Sequence, residues 1–320
     1  MKPGTVEVGT LPPEIGRALR DAFGNEAVED LTVMKGGRSG ATLLSLTVGG
    51  SGYVLRRSNP ARPAHAIRTP RELACMKIAS GRGVAPKLRH VDEAGGVTIM
   101  ERVEIAPCAR RTECVASTLR CLHDGPAFPT GRVTTGGAMV RFADDTLRAE
   151  GREGLPESLL RTTAELTTVT QRFAATAPCH NDLNPGNILT TRDAVVFIDW
   201  ETAGQADPFV DLGQLGVFAF PTAGARAELL AAYLGRGPSV EEQARAVLAR
   251  VMALGFYAAA FFHGMGAASR ESATPVPIAD LLLLLATDRA SQETVAVSLL
   301  EEMQRESESD GCRAAKEALA

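Results

Sequence analysis

The sequence predicts an α+β protein of two lobes, a small antiparallel sheet followed by a larger, mainly helical part. Short strand patterns cluster before residue 102, and helical periodicity dominates from residue 103 onward. The chain has 320 residues, of which 45% are hydrophobic, so it is long enough to bury a core in each lobe. We therefore predict an N-terminal lobe at 1–102 and a C-terminal lobe at 103–320.

In the N-terminal lobe the periodicity predicts two helices and five strands. The helices are expected at 12–23 and 69–79, and the strands near 28–35, 41–48, 52–57, 87–92 and 97–101. Pro70 is expected in the first turn of the second helix, where a missing N–H is tolerated. These elements make a small sheet lobe.

In the C-terminal lobe the same reasoning predicts helices near 110–123, 138–150, 156–174, 209–219, 224–234, 239–263 and 279–304. Residues 124–137 are rich in Gly, Pro and Thr and are expected to form an exposed loop, and the charged tail after Glu301 is expected to fray. The apolar run Val251–Ala268 has the length of a membrane span. Its three glycines and His263 favour a buried helix instead.

The candidate catalytic and metal-binding side chains lie in the segment Cys179–Leu189 and in the run Val195–Glu201. Four residues separate Asp182 from Asn187, and Asp199 ends a short apolar strand, a pattern typical of phosphoryl transfer. That reaction needs a carboxylate to accept a hydroxyl proton, together with hard oxygen ligands for Mg²⁺.

The spacing therefore assigns the catalytic base to Asp182 and the metal ligands to Asn187 and Asp199. Turn-forming residues 184–186 place a loop between the first two of these side chains. We assign His180 a packing and hydrogen-bonding role rather than that of the base.

A second group of residues predicts a nucleotide clamp. Gly36, Gly37 and Ser39 lie in a glycine-rich turn between two strands, where backbone N–H groups can approach a phosphate, although such a cluster is also common in plain turns. The following strand resembles the V-A-I-K strand of kinases, and this resemblance points to Arg56 as the phosphate-binding cation and to Glu72 as the helical carboxylate that pairs with it. Arg57 should face the opposite side, because side chains alternate along a strand.

The charge distribution agrees with an anion-binding N-terminal lobe. Residues 31–90 contain eleven Lys or Arg and a single acid, Glu72. The alternative is a solvated basic face. Nucleic-acid binding is not indicated, because neither interleaved aromatic residues nor a known module is present and the whole chain carries a net charge of −4.

The motifs H-N-D-L-N-P-G-N-I-L, I-D-W-E and D-P-F-V-D-L resemble those of the aminoglycoside phosphotransferase and choline kinase superfamily, most of all its choline, ethanolamine and thiamine kinase branch. The resemblance runs from about residue 33 to 215. It implies a protein-kinase-like fold, ATP and Mg²⁺ as cofactors, and adenine bound by the backbone of Glu101 and Val103. It also implies that Asp211 accepts hydrogen bonds from the catalytic loop backbone.

The resemblance implies transfer of the ATP γ-phosphate to a hydroxyl of a small molecule. The segment from Glu271 to Asp310 contains nine acidic and only two basic residues, which favours a cationic acceptor. The alternative is that these acids form a solvated helix face. Choline itself is disfavoured, because its quaternary ammonium needs an aromatic cage and the chain has one Trp and three Tyr. An antibiotic kinase and a nucleotide-binding pseudokinase remain alternative interpretations.

Cysteine usage predicts a reducing compartment. The six Cys form no C-x-x-C pair, and no signal peptide precedes Pro3, so we expect reduced thiols in a cytoplasmic protein. Cys114 and Cys121 lie seven residues apart on a helical pattern and are expected to pack rather than to bind a metal. The sequence predicts neither a nucleic-acid nor a membrane partner, and it leaves the oligomeric state open.

Overall fold

The computed structural model describes residues 11–34, 41–58, 63–129, 136–173, 177–265, 273–287 and 289–320, the side chains of 63–69 excepted. The chain forms two compact units. The first comprises Met1–Cys114 and Ile188–Ala203, and the second comprises Val115–Asn187 and Gly204–Ala320.

The described residues contain nine strands and eleven α-helices. The strands are β1 Val28–Val33, β2 Thr42–Val48, β3 Ser51–Arg57, β4 Leu88–Asp92, β5 Val97–Glu101, β6 Ala177–Cys179, β7 Ile188–Thr190, β8 Val195–Phe197 and β9 Gly204–Ala206. The helices are α1 Pro13–Phe23, α2 Pro63–Gly81, α3 Arg111–His123, α4 Gly136–Ala149, α5 Glu157–Thr170, α6 Phe209–Phe218, α7 Ala223–Leu234, α8 Val240–Gly264, α9 Ile278–Ala286, α10 Gln292–Ser307 and α11 Asp310–Ala318.

The first unit is built on a five-stranded antiparallel sheet of order β1-β2-β3-β5-β4. One face of the sheet packs on α1 in a core that includes Ile15, Leu19, Leu46, Leu55 and Ile99. This arrangement follows the predicted strands closely, and the alternation of apolar residues is clearest in β2, where Leu44, Leu46 and Val48 are buried.

The hairpin of β7 and β8 belongs to the first unit, whereas the sequence-based division at residue 102 put it in the second lobe. Long-range hydrogen bonds explain the difference. The Phe197 N–H donates to the Val84 carbonyl at 2.8 Å, and the Ala106 N–H donates to the Thr190 carbonyl at 2.9 Å. Arg71 Nη2 donates to the carbonyl of Glu201 at 2.9 Å.

The second unit is organised around α8, which packs against α4, α6, α10 and α11. Its start is fixed by a capping box, in which the Ser239 hydroxyl accepts from the Glu242 N–H and the Glu242 carboxylate accepts from the Ser239 N–H. Within the described residues α8 is the one helix long and apolar enough to cross a membrane, and 56% of its apolar window is buried inside the protein. That burial agrees with the predicted core helix.

A buried cation lies at the junction of α8 and α10. Arg250 Nε donates to the Gly216 carbonyl at 2.8 Å, and its guanidinium pairs with Glu302 at 3.2 Å and with Glu306. Two of the acids counted between residues 271 and 310 are therefore internal partners of a core arginine.

Three predicted elements were wrong in detail. The helix expected at 279–304 is broken into α9 and α10, because the Ser291 hydroxyl accepts from the Thr294 N–H at 3.1 Å and starts a new helix. The tail expected to fray forms α11, whose Cys312 is fully buried. Pro70 lies inside α2 rather than in its first turn, because that helix begins at Pro63.

The loop expected to be exposed at 124–137 was also partly wrong. Phe128 is only 2% exposed, and its N–H donates to Gln205 Oε1 at 3.1 Å. Residues 130–135 lie outside the described part of the chain.

Two helical glycines offer a matched test of packing in the second unit. A Cβ at Gly213 of α6 would lie 2.5 Å from the backbone of Ala249 in α8, whereas a Cβ at Gly224 of α7 meets nothing within 4 Å. We expect Gly213→Ala to lower the free energy of unfolding by about 1–3 kcal/mol through overpacking. Gly224→Ala should be neutral or stabilising, by up to ~1 kcal/mol. Chemical denaturation of both variants measures this, and equal stabilities would contradict the close approach of α6 and α8.

Candidate active site

The predicted catalytic loop is held by one buried carboxylate in the first turn of α6. Asp211 Oδ2 accepts from the His180 N–H at 2.9 Å, and its Oδ1 accepts from the Asn181 N–H at 2.8 Å. Asn181 adopts a left-handed backbone with φ of +64°, a conformation that costs free energy in a non-glycine residue. The two backbone hydrogen bonds to Asp211 hold that turn in place.

Asp211 is itself held by His123 of α3. His123 Nε2 lies 3.0 Å from Asp211 Oδ2, and His123 Nδ1 lies 2.9 Å from the hydroxyl of Tyr233. Burial raises the pKa of Asp211, but the hydrogen bond from His123 and the nearby histidine charges outweigh it and hold this pKa below its ordinary value. The carboxylate therefore stays ionised inside the protein.

Ligand atoms of His123, Cys179 and Asp211 lie within 4.8 Å of one another, a spacing that a metal ion could use. The hydrogen bonds argue for a different role. Both oxygens of Asp211 accept backbone N–H groups, and both nitrogens of His123 have partners. Burial raises the pKa of Cys179 well above its ordinary value, so its thiol stays protonated. We interpret the cluster as a hydrogen-bonded support for the catalytic loop.

Gln214 clamps the loop on both sides of Asp182. Its Oε1 accepts from the Leu183 N–H at 2.9 Å, and its Nε2 donates to the Asn181 carbonyl at 2.6 Å. Gln214 is one turn beyond Asp211 on α6 and is only 3% exposed. Our sequence reasoning missed this residue. The available signal was a polar amide within an otherwise apolar helix, three residues after the structural aspartate.

Side-chain amides hold the Asp182 carboxylate. Asn187 Nδ2 lies 3.2 Å from Asp182 Oδ2 and 2.9 Å from its carbonyl oxygen, and Asn184 Nδ2 donates to Asp182 Oδ1 at 3.1 Å. The Asp182 N–H donates to His180 Nδ1 at 3.3 Å, with His180 fully buried. This geometry brings two predicted residues, Asp182 and Asn187, into direct contact.

Tyr257 of α8 adds an apolar wall beside Asp182. Its ring packs on Phe218 with centroids 5.1 Å apart, and its hydroxyl is buried. Burial first, and the negative charge of Asp182 second, raise the pKa of Tyr257 well above its ordinary value. The phenol stays neutral and cannot compete with Asp182 for the role of base.

The two predicted metal ligands present hard oxygen atoms. Because Asn187 Nδ2 makes both hydrogen bonds to Asp182, the amide oxygen Oδ1 is the atom of Asn187 left for a cation. Asp199 follows β8 with a left-handed φ of +65° and is exposed. A carboxylate and an amide oxygen are the donor types that Mg²⁺ prefers, so both residues fit the ion. Asp199 lies in the first unit and Asn187 in the second.

The predicted cation and carboxylate of the clamp meet. Arg56 Nη1 lies 2.6 Å from Glu72 Oε1. Burial raises the pKa of Glu72, and the negative charges of Asp199 and Glu201 add to this effect against the opposing charge of Arg56. Arg56 Nη2 is buried and has no hydrogen-bond partner among the described residues, which leaves a charged donor for an anion. As predicted, Arg57 faces the other way and pairs with Glu14 at 2.5 Å.

The remaining predicted residues are less constrained. β5 ends at Glu101, whose N–H donates to the Lys87 carbonyl at 2.9 Å and whose side chain pairs with Lys87 at the surface. Val103 follows the strand, so its backbone belongs to no strand pair. Gly36, Gly37 and Ser39 lie outside the described residues.

Comparison with known proteins identifies the class. The sequence model of the phosphotransferase enzyme family matches residues 30–247, which is more than half of the chain. The chain therefore belongs to this phosphotransferase enzyme family. Among curated relatives, Protein LicA of Haemophilus influenzae is 50% identical over 38 residues, a match that covers 12% of this chain and 14% of that protein.

Solved structures support the fold over nearly the whole chain. A choline/ethanolamine kinase family protein from Mesorhizobium loti has a TM-score of 0.66 at 23% identity, covering 90% of this chain and 92% of that one. Choline kinase LicA from Streptococcus pneumoniae has a TM-score of 0.64 at 14% identity, covering 91% and 96%. A spectinomycin phosphotransferase in complex with ADP and its antibiotic has a TM-score of 0.51 at 10% identity, covering 91% and 98%. These likenesses establish the predicted two-lobed, kinase-like fold.

The clamp by Gln214 can be tested separately from folding. Gln214→Met keeps the volume but removes both hydrogen bonds, so the loop carrying Asp182 should sample misaligned positions. We expect kcat for phosphoryl transfer to fall by roughly 10- to 100-fold with the nucleotide KM little changed. Gln214→Glu keeps the acceptor for Leu183 and should lose less. Steady-state kinetics beside a melting curve measure both effects, and a variant with a lower Tm but the original kcat would show that Gln214 only stabilises the unit.

Proposed function

We propose that this protein is an ATP-dependent kinase that transfers the γ-phosphate to a hydroxyl of a small cationic molecule. The observation that carries the proposal is the Asp182 carboxylate. It is held 3.2 Å from the Asn187 amide, on a loop whose backbone is bound on both sides by α6 side chains. Such a preorganised carboxylate suits a base that aligns a hydroxyl for in-line attack.

Asp182 would accept the proton of the attacking hydroxyl. Two of its hydrogen-bond partners are the neutral amides of Asn184 and Asn187, which orient the carboxylate without removing its charge. The buried ring of Tyr257 would shield one side of the carboxylate from water. His180, fully buried, would support the loop and take no part in proton transfer.

Arg56 would contact the nucleotide phosphates. Its Nη1 is oriented by Glu72, and its buried Nη2 is a charged donor without a partner among the described residues. An orphaned buried donor is costly, and an anionic phosphate oxygen would satisfy it. The backbone of Glu101 and Val103 would bind adenine, and the turn of Gly36, Gly37 and Ser39 would cover the phosphates.

Mg²⁺ would be held by Asn187 Oδ1 and Asp199. When bound, the ion would neutralise charge on the phosphates during transfer. Asp199 also lies among the negative charges that raise the pKa of Glu72, so a cation there would relieve electrostatic repulsion within the first unit.

A primary-amine or heterocyclic-cation alcohol suits the proposed acceptor better than choline. The chain has one Trp and three Tyr, and their positions do not suggest an open cage. Trp200 and Tyr257 are buried, Tyr233 binds His123, and Tyr53 packs on Phe23. Glu302 and Glu306 are engaged by Arg250, so these two carboxylates are not the ones that would meet the substrate cation.

Two alternatives are less well supported. An antibiotic kinase is a family possibility, but the spectinomycin enzyme superposes with a TM-score of 0.51, against 0.66 for the choline/ethanolamine kinase family protein. A pseudokinase is disfavoured because the base, both metal ligands and the Arg56–Glu72 pair are all present. We further propose a cytoplasmic location, where ATP is available.

The proposal is tested by ATP consumption against a panel of ethanolamine-type alcohols, choline, thiamine, aminoglycosides and neutral alcohols, with products identified by mass. We expect amine alcohols to be phosphorylated. Phosphorylation of neutral alcohols alone would contradict the cationic acceptor.

The assigned base is tested by Asp182→Asn, which we expect to lower kcat by ~10² to 10⁴ with nucleotide affinity retained. An Asp182→Asn variant as active as the wild type would contradict the assigned base.

The clamp is tested by a matched pair of neighbouring arginines. Arg56→Ala removes the donor oriented by Glu72 and should raise the KM for ATP by roughly 10-fold or more, the scale of one charge-assisted hydrogen bond. Arg57→Ala removes an ion pair with Glu14 and should leave that KM nearly unchanged. Initial-rate kinetics at varied ATP compare the two, and a larger effect at Arg57 would reverse the assignment.

A further inference from the structure

Two cysteines outside the proposed site lie side by side. Cys108 Sγ and Cys114 Sγ are 3.2 Å apart, within hydrogen-bonding distance and not bonded covalently. Cys108 precedes α3 in a segment without regular structure, and Cys114 lies near the start of α3. Both side chains are partly exposed, so small molecules can reach them.

The other four cysteines do not share these properties. Burial raises the pKa of Cys75 to about 11 and raises the pKa values of Cys179 and Cys312 above the ordinary thiol range. Cys121 is partly exposed but stands seven residues beyond Cys114 on the same helix, about 10 Å along its axis. The pair is therefore the place on the described chain where two accessible thiols meet.

The surroundings distinguish the two sulfur atoms. Cys114 Sγ donates to the carbonyl of Asp193 at 3.5 Å. The contact with Cys108 raises the pKa of Cys114, against a smaller lowering by the charge of Arg110. Cys114, whose thiol donates to that carbonyl, is therefore assigned the role of the resolving thiol, which attacks second.

We propose that Cys108 and Cys114 form a redox modification site, which closes reversibly to an intramolecular disulfide when a low-molecular-weight disulfide oxidises it. An S–S bond of about 2.05 Å requires the sulfur atoms to approach by roughly 1.2 Å. The irregular segment that carries Cys108 can supply this movement without unwinding α3.

The chemistry balances with oxidised glutathione as the oxidant. The Cys108 thiolate attacks one glutathione sulfur, forms a mixed disulfide and releases one glutathione thiolate, which takes up a proton. Cys114 then loses its proton, attacks the Cys108 sulfur of the mixed disulfide and releases the second glutathione. The protein loses two hydrogens, and the oxidant is reduced to two thiols.

Arg110 and Arg111 lie between the two cysteines, so tryptic digestion and peptide mapping can detect the proposed disulfide directly. Trypsin cleaves after both residues and places Cys108 in peptide 103–110 and Cys114 in peptide 112–120, with Cys121 in the next peptide. After incubation of the full chain with oxidised glutathione, we expect these two peptides to be joined by a bond that dithiothreitol breaks. The thiol titre of the denatured protein should fall from six to four.

Three serine variants serve as controls. Cys108→Ser and Cys114→Ser should each lose the joined peptides and carry one glutathione on the remaining partner, while Cys121→Ser should behave as the wild type. Separate glutathionylation of Cys108 and Cys114 in the wild type, or a link from either one to another cysteine, would overturn the proposal. The peptide map of the wild type decides the question even where a variant fails to fold.

Discussion

The geometry of the catalytic loop depends on one buried charge. Asp211 accepts hydrogen bonds from the backbone of His180 and Asn181 and is bound by His123, so a fully buried carboxylate has a partner at each oxygen. Without them an ionised group would be too costly to bury. With them it holds a left-handed turn at Asn181 and so directs the next residue, Asp182. The lowered pKa of Asp211 means that this support is present above the ordinary carboxyl range and is lost as pH falls through the folded pKa.

Gln214 and Asp211 together hold the backbone of the catalytic loop. Asp211 binds backbone N–H groups before Asp182, and Gln214 binds the groups immediately before and after it, so both anchors of the loop come from one face of α6. The packing of α6 on α8 at Gly213 fixes that face in the second unit. The packing of α6 on α8 therefore helps to position Asp182, the proposed base, through the hydrogen bonds of Asp211 and Gln214.

Much of this could be predicted from the sequence, and the exceptions share a cause. The sheet strands and the opposite orientation of Arg57 follow from local periodicity and alternation, and the Arg56–Glu72 pair follows from the resemblance to kinases. Local patterns do not encode contacts between distant segments. The support by Gln214, the association of the β7–β8 hairpin with the first unit and the burial of Phe128 all rest on such contacts. The break between α9 and α10 was missed because a serine cap outweighed continuous apolar periodicity.

In the first unit Glu72 lies near two other negative charges, and bound ligands would reduce the resulting repulsion. Glu72 is needed to orient Arg56, yet burial and the charges of Asp199 and Glu201 raise its pKa, so its ionised form is disfavoured in the folded protein. A raised carboxyl pKa weakens folding as pH rises and the group ionises. A cation beside Asp199 would offset one of these repulsions and lower the pKa of Glu72. A phosphate on Arg56 Nη2 would satisfy a buried donor that has no partner among the described residues. Both proposed ligands would therefore offset electrostatic costs around the Arg56–Glu72 pair within the first unit.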